Sequence, residues 1–190
     1  MMSAQDRARW DKIYRDQSHK PFPPPDPLLY EYVPAPASST SRALDFASGL
    51  GQNGLWLAAQ GYIVDLMDIS RFALYRARTE MTVSNLRNAN LLQVDLDEVT
   101  LEADYYEVVC VFRYLKRDLL PELAKSISPG GRIIYETFNP HYLTIVPGFN
   151  TEFLLHQGEL AAAFAGWQIL LDTEIEHISQ FVAVKPDHAP

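Results

Sequence analysis

The sequence predicts an α/β fold on an open, mostly parallel sheet, and three observations carry that expectation. Residues 43–70 (ALDFASGLGQNGLWLAAQGYIVDLMDIS) read as strand, glycine turn, helix and strand, with Asp68 closing the second strand. Apolar runs at 91–94 and 105–112 (YYEVVCVF) alternate with helix-like stretches, the rhythm of βαβ units. The strand runs are mostly apolar rather than alternating, as suits strands covered on both faces.

Taken in order, residues 4–17 (AQDRARWDKIYRDQ) have helical spacing, with Trp10, Ile13 and Tyr14 on one side. Residues 20–36 carry Pro21, Pro23, Pro24, Pro25, Pro27, Pro34 and Pro36, which predicts a stiff extended connector. A short helix over 28–32 fits its middle. The first strand, 43–47, stops at Ser48-Gly49. Gly49, Gly51 and Gly54 then give the spacing G-x-G-x-x-G, which permits a tight turn and close backbone approach to a ligand. A helix follows over 53–60, with Leu55, Ala58 and Ala59 on one face and Gly61 as its C-cap. The second strand, 63–67, ends at Asp68.

Ser70 is placed to cap a helix from Arg71 into the eighties, with Phe72, Ala73 and Ala77 facing the sheet. After a polar turn at 85–90, the third strand, 91–94, ends in Asp95-Leu96. Residues 105–112 form the most apolar strand and should be central. Arg113, Tyr114, Lys116 and Arg117 follow at its carboxyl end, where they suit either an anionic ligand or surface ion pairs. A helix over 118–127 should stop sharply at 128–131 (SPGG), before a strand at 132–137. Residues 138–156 read as a long irregular segment, rich in aromatics and expected to cover a substrate. Its neighbourhood offers Glu136, Asn139, His141, Tyr142 and His156 as polar candidates. A short helix over 158–164 precedes two strands, 167–171 and 179–184, across a charged turn at 172–176.

Ligands of open α/β sheets bind at the carboxyl ends of the strands, where a carboxylate can accept two ribose hydroxyls. Asp68 holds that position, nineteen residues after Gly49, so the pattern points to a nucleoside-bearing cofactor. A nicotinamide dinucleotide and S-adenosylmethionine both meet the requirement. The formal net charge of −8 and pI of about 5.0 argue against a polyanionic partner such as DNA or RNA. Cys110, the sole cysteine, sits in an apolar run and is expected to be a buried, inert thiol. Residues 1–16 lack the apolar core of a signal peptide, and no stretch nears the roughly 18 apolar residues of a membrane span. The expectation is a soluble, cytoplasmic protein with no membrane partner, monomer or dimer being left open.

Residues 43–70 resemble the first motif of class I S-adenosylmethionine-dependent methyltransferases. That motif has an acid four residues before the first glycine, matched by Asp45, and the strand-end acid, matched by Asp68. The run G-x-G-x-N-x-L-x-L-A-x-x-G-Y-x-V-D over 49–65 is similar to the tellurite-resistance and thiopurine methyltransferase-like subgroup, as is W-D-x-x-Y at 10–14. F-R-Y-L at 112–115 and the P-G-G before a strand at 129–131 add to the likeness, which spans roughly residues 10–186. It implies a Rossmann-like, seven-stranded, mostly parallel sheet with an antiparallel terminal hairpin and helices on both faces. It further implies one methyltransferase domain over 1–190, divided into an N-terminal arm (1–40), a cofactor-binding core (41–137) and a substrate-side segment (138–190).

By the same resemblance S-adenosyl-L-methionine is the methyl donor and S-adenosyl-L-homocysteine the product, with no metal. The implied cofactor contacts in the first half are Trp10, Asp45, Ala47, Gly49, Gly51, Asn53, Asp68 and Ile69. Asp95, Leu96, Phe112 and Arg113 complete the set, with Asp95 facing the adenine. Trp10 and Tyr14 belong to an arm that folds over the cofactor in that subgroup. Arg113, Tyr114 and His141 are the substrate-side candidates, without an assigned general base. The acceptor is expected to be a small molecule presenting an S, O, N or chalcogen nucleophile. A nicotinamide-dependent oxidoreductase and a non-catalytic S-adenosylmethionine-binding protein are the alternatives.

Overall fold

The protein's structure, a computed structural model, describes residues 4–187. Seven strands run in the order β3-β2-β1-β4-β5-β7-β6. They are β1 (Arg42–Phe46), β2 (Ile63–Asp68), β3 (Ala89–Gln93), β4 (Tyr106–Phe112), β5 (Ile127–Phe138), β6 (Gln168–Ile175) and β7 (Ile178–Val184). β1, β2 and β3 pair in parallel, as do β4 and β5, whereas β7 is antiparallel to both β5 and β6. The expected mixed sheet with a terminal hairpin is therefore present. The chain forms two compact units, Met1–Thr100 and Leu101–Pro190.

In the first unit β1 and β2 are buried along almost their whole length, which explains why their sequences do not alternate. Helix α3 (Gln52–Ala59) begins at Gly51, and α4 (Arg71–Val83) begins at Ser70, whose hydroxyl accepts the Ala73 N–H. Two glycines of the motif serve packing. A Cβ on Gly51 (φ +80°) would stand 2.6 Å from Leu66 Cδ2 and 3.0 Å from Ala77 Cβ. A Cβ on Gly54 would meet Leu66 Cγ at the same 2.6 Å. The third strand starts two residues earlier than expected, at Ala89, because Val64 pairs with it there.

The N-terminal helix α1 (Ala4–Asp16) and the short helix α2 (Pro27–Tyr32) confirm the reading of the arm. Side chains of α4 and α3 hold the arm. Arg76 donates to the Ser18 and Lys20 carbonyls, Arg15 lies over the Phe72 ring, and the Asp26 N–H donates to Asn53 Oδ1.

The second unit departs from expectation in three places. Helix α5 (Leu120–Ser126) is preceded by a 3-10 turn, Arg117–Leu119, rather than starting at 118. The SPGG stretch does not end one element and precede another, since it lies within β5 as an irregularity in the pairing. Tyr106 pairs with Ile127 and Val108 with Arg132, so the irregularity fits between two partners on β4. Only glycine suits position 131, where a Cβ would stand 2.8 Å from the Ser128 carbonyl oxygen. Lys185 fastens this stretch through its Nζ on the Ile127 carbonyl and its backbone on Gly130 and Gly131. The charged stretch 172–176 is mostly strand, because β6 runs to Ile175 and the hairpin turns at Glu176-His177, with Glu176 at φ +53°. Cys110 is fully buried.

Candidate functional site

The first unit builds its site at the carboxyl ends of β1 and β2. Where β1 ends, the chain turns through Ala47 (φ +59°), Gly49 (φ +54°) and Gly51 (φ +80°). A non-glycine residue in the left-handed region costs roughly 1–3 kcal/mol, and such strain collects at ligand sites. Asp45, buried at 1% exposure, accepts the Gly54 N–H at 2.8 Å and so ties β1 to the first turn of α3.

Asp68 closes the turn from the other strand. Its Oδ2 accepts the Gly49 N–H at 2.8 Å and its Oδ1 accepts the Ser70 N–H at 2.7 Å. Burial pushes its carboxyl above the usual carboxylate range, against the lowering effect of its backbone hydrogen bonds. Each carboxylate oxygen has two lone pairs, so capacity remains for two further donors. Ser48, at the start of the turn, has a buried hydroxyl oxygen without a partner among the described residues. The same holds for Gln52 Oε1 at the start of α3.

Sequence reasoning about the W-D-x-x-Y run singled out Trp10 and Tyr14, and passed over Asp11. Asp11 Oδ1 accepts the Ser70 hydroxyl at 2.7 Å and the Phe72 N–H at 3.3 Å, placing an anion at the start of α4. That contact brings Tyr14 to the glycine turn, its hydroxyl 2.7 Å from where a Cβ on Gly49 would stand. Burial, then the Asp68 and Asp45 carboxylates, push the Tyr14 phenol far up, so it stays a neutral donor. Trp10 stacks against Tyr14 at 5.9 Å and does not reach the turn in any described contact.

Of the other expected contacts in this unit, Ile69 is buried beside Asp68 and its carbonyl accepts from Gln93. Asn53 is buried and spends its side-chain oxygen on the arm. Asp95 caps the 3-10 turn Leu96–Glu98 by accepting the Asp97 N–H, while Leu96 is buried.

In the second unit Phe112 ends β4 half-buried, and Arg113 follows at φ +58°. Arg113 pairs with the buried Glu136, whereas Tyr114 offers its carbonyl to the Tyr135 hydroxyl. Arg117, a candidate for anion binding, is committed elsewhere. Its guanidinium takes both Glu159 carboxylate oxygens and the Glu152 and Leu154 carbonyls. Glu159 was missed in the sequence because its partner lies 42 residues away. His141 is exposed in the 3-10 turn Pro140–Thr144, where its backbone N–H bonds Asn139. Among the described residues no group of His, Cys, Asp and Glu could hold a metal ion, and no helix is long and apolar enough to cross a membrane.

The strand-end carboxylate with spare acceptor capacity and the unpartnered Ser48 hydroxyl fit a hydroxyl-bearing nucleoside. Comparison with known proteins agrees. The fold matches a structure solved in a study of the conversion of a disulfide bond into a thioacetal group during echinomycin biosynthesis. That match has a TM-score of 0.73 and 19% identity, over 96% of this chain and 93% of that one. An S-adenosylmethionine-dependent methyltransferase from Mesorhizobium loti matches at TM-score 0.65 and 18% identity, over 84% of this chain and 96% of that one. TehB from Haemophilus influenzae matches at TM-score 0.64 and 18% identity, over 77% of this chain and 58% of that one. No curated protein matches the chain. The family model for tellurite resistance protein TehB matches residues 34–180. The chain therefore belongs to the TehB family, and its fold is that of S-adenosylmethionine-dependent methyltransferases.

Proposed function

We infer that the chain works as a single methyltransferase domain transferring a methyl group to a small-molecule nucleophile. Asp68 carries the reading. It is a buried carboxylate already closed on the Gly49 amide, with room to accept two ribose hydroxyls. In this reading Ser48, Gly49 and Gly51 line the donor's amino-acid end, and Tyr14 supplies a neutral hydroxyl there. Ile69, Asp95 and Leu96 flank the adenine. Phe112 and Arg113 are proposed donor contacts at the end of β4, Arg113, Tyr114 and His141 substrate contacts, and the 138–156 segment the substrate cover.

S-adenosylmethionine supplies an electrophilic methyl group on a sulfonium. What remains for the chain is to hold donor and acceptor in line, and such positioning removes about 7–11 kcal/mol from the barrier. A thiol or chalcogen anion needs little base assistance. Two fold relatives support a small-molecule acceptor, one through the disulfide substrate of its study and one as a geranyl diphosphate C-methyltransferase from Streptomyces coelicolor. An acidic chain also suits a small acceptor better than a nucleic acid.

The test is thermal denaturation with S-adenosylmethionine, S-adenosylhomocysteine, NAD and NADP, repeated on Asp68→Ala. A ligand at 100 times its dissociation constant stabilises by about 2.7 kcal/mol, a shift of several degrees. The two sulfur nucleosides should shift the wild type. Loss of two hydroxyl–carboxylate bonds, about 1.5 kcal/mol each, should weaken their binding on the order of a hundredfold in the variant. A shift with a dinucleotide alone would move the assignment to hydride transfer.

A further inference from the structure

Arg113 is held in a way that stability does not explain. Glu136 grips it twice, its carbonyl accepting the Arg113 N–H at 2.7 Å and its Oε1 meeting Nη2 at 2.8 Å. Gln180 Nε2 donates to the remaining Glu136 oxygen at 2.6 Å. The Glu136 side chain is only 5% exposed, whereas that of Arg113 is 43% exposed. Burying a carboxylate to pair with a half-exposed arginine gains little net stability, because desolvation offsets the attraction. What it does achieve is orientation, on a residue whose backbone is itself in the left-handed region.

The guanidinium also lies over Phe138, 5.0 Å from the ring centroid. Phe138 stacks on Tyr142 at 3.9 Å, and Phe149 packs edge-on to Tyr142 at 5.0 Å. Nη2 is therefore spent on an ion pair with Glu136, one face lies on an aromatic group, and among the described residues Nε and Nη1 have no partner. Arg117, only four residues on, shows the contrast, with Nε, Nη1 and Nη2 all engaged by protein.

We propose that Arg113 is the residue that recognises the methyl acceptor, that Glu136 and Gln180 are its positioning residues, and that the acceptor is an organic carboxylate with an apolar body. A carboxylate oxygen can accept the Nε–H or the Nη1–H in a charge-assisted bond, and Phe138, Tyr142 and Phe149 provide an apolar neighbour for its carbon skeleton. The acceptor role rests on the methyltransferase reading, while the carboxylate site itself does not.

The experiment is calorimetric titration of the full chain with three probes, 2-naphthoate, 2-naphthalenemethanol and selenite, with S-adenosylhomocysteine titrated in parallel. The naphthoate should bind about tenfold tighter than the uncharged alcohol and than the inorganic oxyanion, the worth of one charge-assisted bond. Arg113→Gln should erase that preference without changing alcohol binding. Glu136→Gln should reduce it while S-adenosylhomocysteine affinity stays constant, a split that a merely structural role would not give. Should Glu136→Gln fold poorly, the half-exposed Arg113 still decides the matter. Equal binding of naphthoate and alcohol, tighter binding of selenite, or an Arg113→Gln variant that keeps the preference would overturn the proposal. Carboxylate binding with no S-adenosylhomocysteine binding would uphold this site and refute the methyl-donor assignment.

Discussion

The glycine turn invites a paired substitution, since Gly49 and Gly51 share a left-handed backbone but face different neighbours. An alanine at either position meets the steric cost of that conformation, about 1–2 kcal/mol. At Gly51 the added methyl also enters the space between Leu66 and Ala77, both fully buried. Overpacking of this kind adds about 1–3 kcal/mol, for a total of about 2–5 kcal/mol in Gly51→Ala. At Gly49 the methyl meets only the far end of the Tyr14 side chain, which can swing aside, so Gly49→Ala should lose about 1–2 kcal/mol. Against a typical domain stability of about 5–15 kcal/mol both variants should fold. Urea denaturation gives the stabilities, and titration with S-adenosylhomocysteine gives the affinities. Gly51→Ala should be the less stable, and Gly49→Ala, with Tyr14 displaced, should lose more affinity per kcal/mol of stability lost. Gly51→Ala within about 0.5 kcal/mol of wild type would refute the packing argument. Gly49→Ala with unchanged affinity would show that neither Tyr14 nor the turn touches the donor.

Asp68 makes a pH prediction whose sign follows from its raised carboxyl. Between the ordinary carboxylate range and the raised value, the folded chain binds more protons than the unfolded chain, so this group's contribution to stability falls as pH rises through that window. Ribose hydroxyls favour the charged form, so S-adenosylhomocysteine should release a proton there and bind more weakly as pH is lowered through it. Titration in two buffers of different ionisation heat reads that proton, and its absence would remove Asp68 from the ribose. Arg117→Ala should destabilise by about 1–2 kcal/mol, allowing for the partial exposure of Arg117 and Glu159. Amide hydrogen exchange should quicken around residues 152–159 with no change in nucleoside affinity, and slow exchange there would refute the clamp.

Much of the first unit was legible because its signals are local. The glycine spacing, the Ser70 cap, the proline stretch and the apolar strands each act within a few residues, and each lies where the sequence placed it. The errors lie where a distant partner overrides a local preference. Pro129, Gly130 and Gly131 look like a stop, yet Tyr106 and Val108 on β4 and Lys185 after β7 draw them into β5. Arg113 and Arg117 look alike in the sequence, and only Glu136 and Glu159, each over twenty residues away, distinguish them. Asp11 is invisible as a site residue because what it contacts is the start of a helix 59 residues on.

Asp172 and Glu174 also bear on how the sheet ends. β6 stands last in the strand order, and it exposes Ile169, Leu170 and Ile175, an apolar edge of the kind that recruits stray strands. Two features blunt it. The register breaks between Ile169 and Leu171, which spoils a straight template, and Asp172 and Glu174 stand exposed in the middle of the strand. A second copy docking edge to edge would bring four carboxylates together. As pH drops towards the pI of about 5.0 the whole chain also loses its net repulsion. Storage and assay above neutrality therefore protect the least covered edge of the sheet.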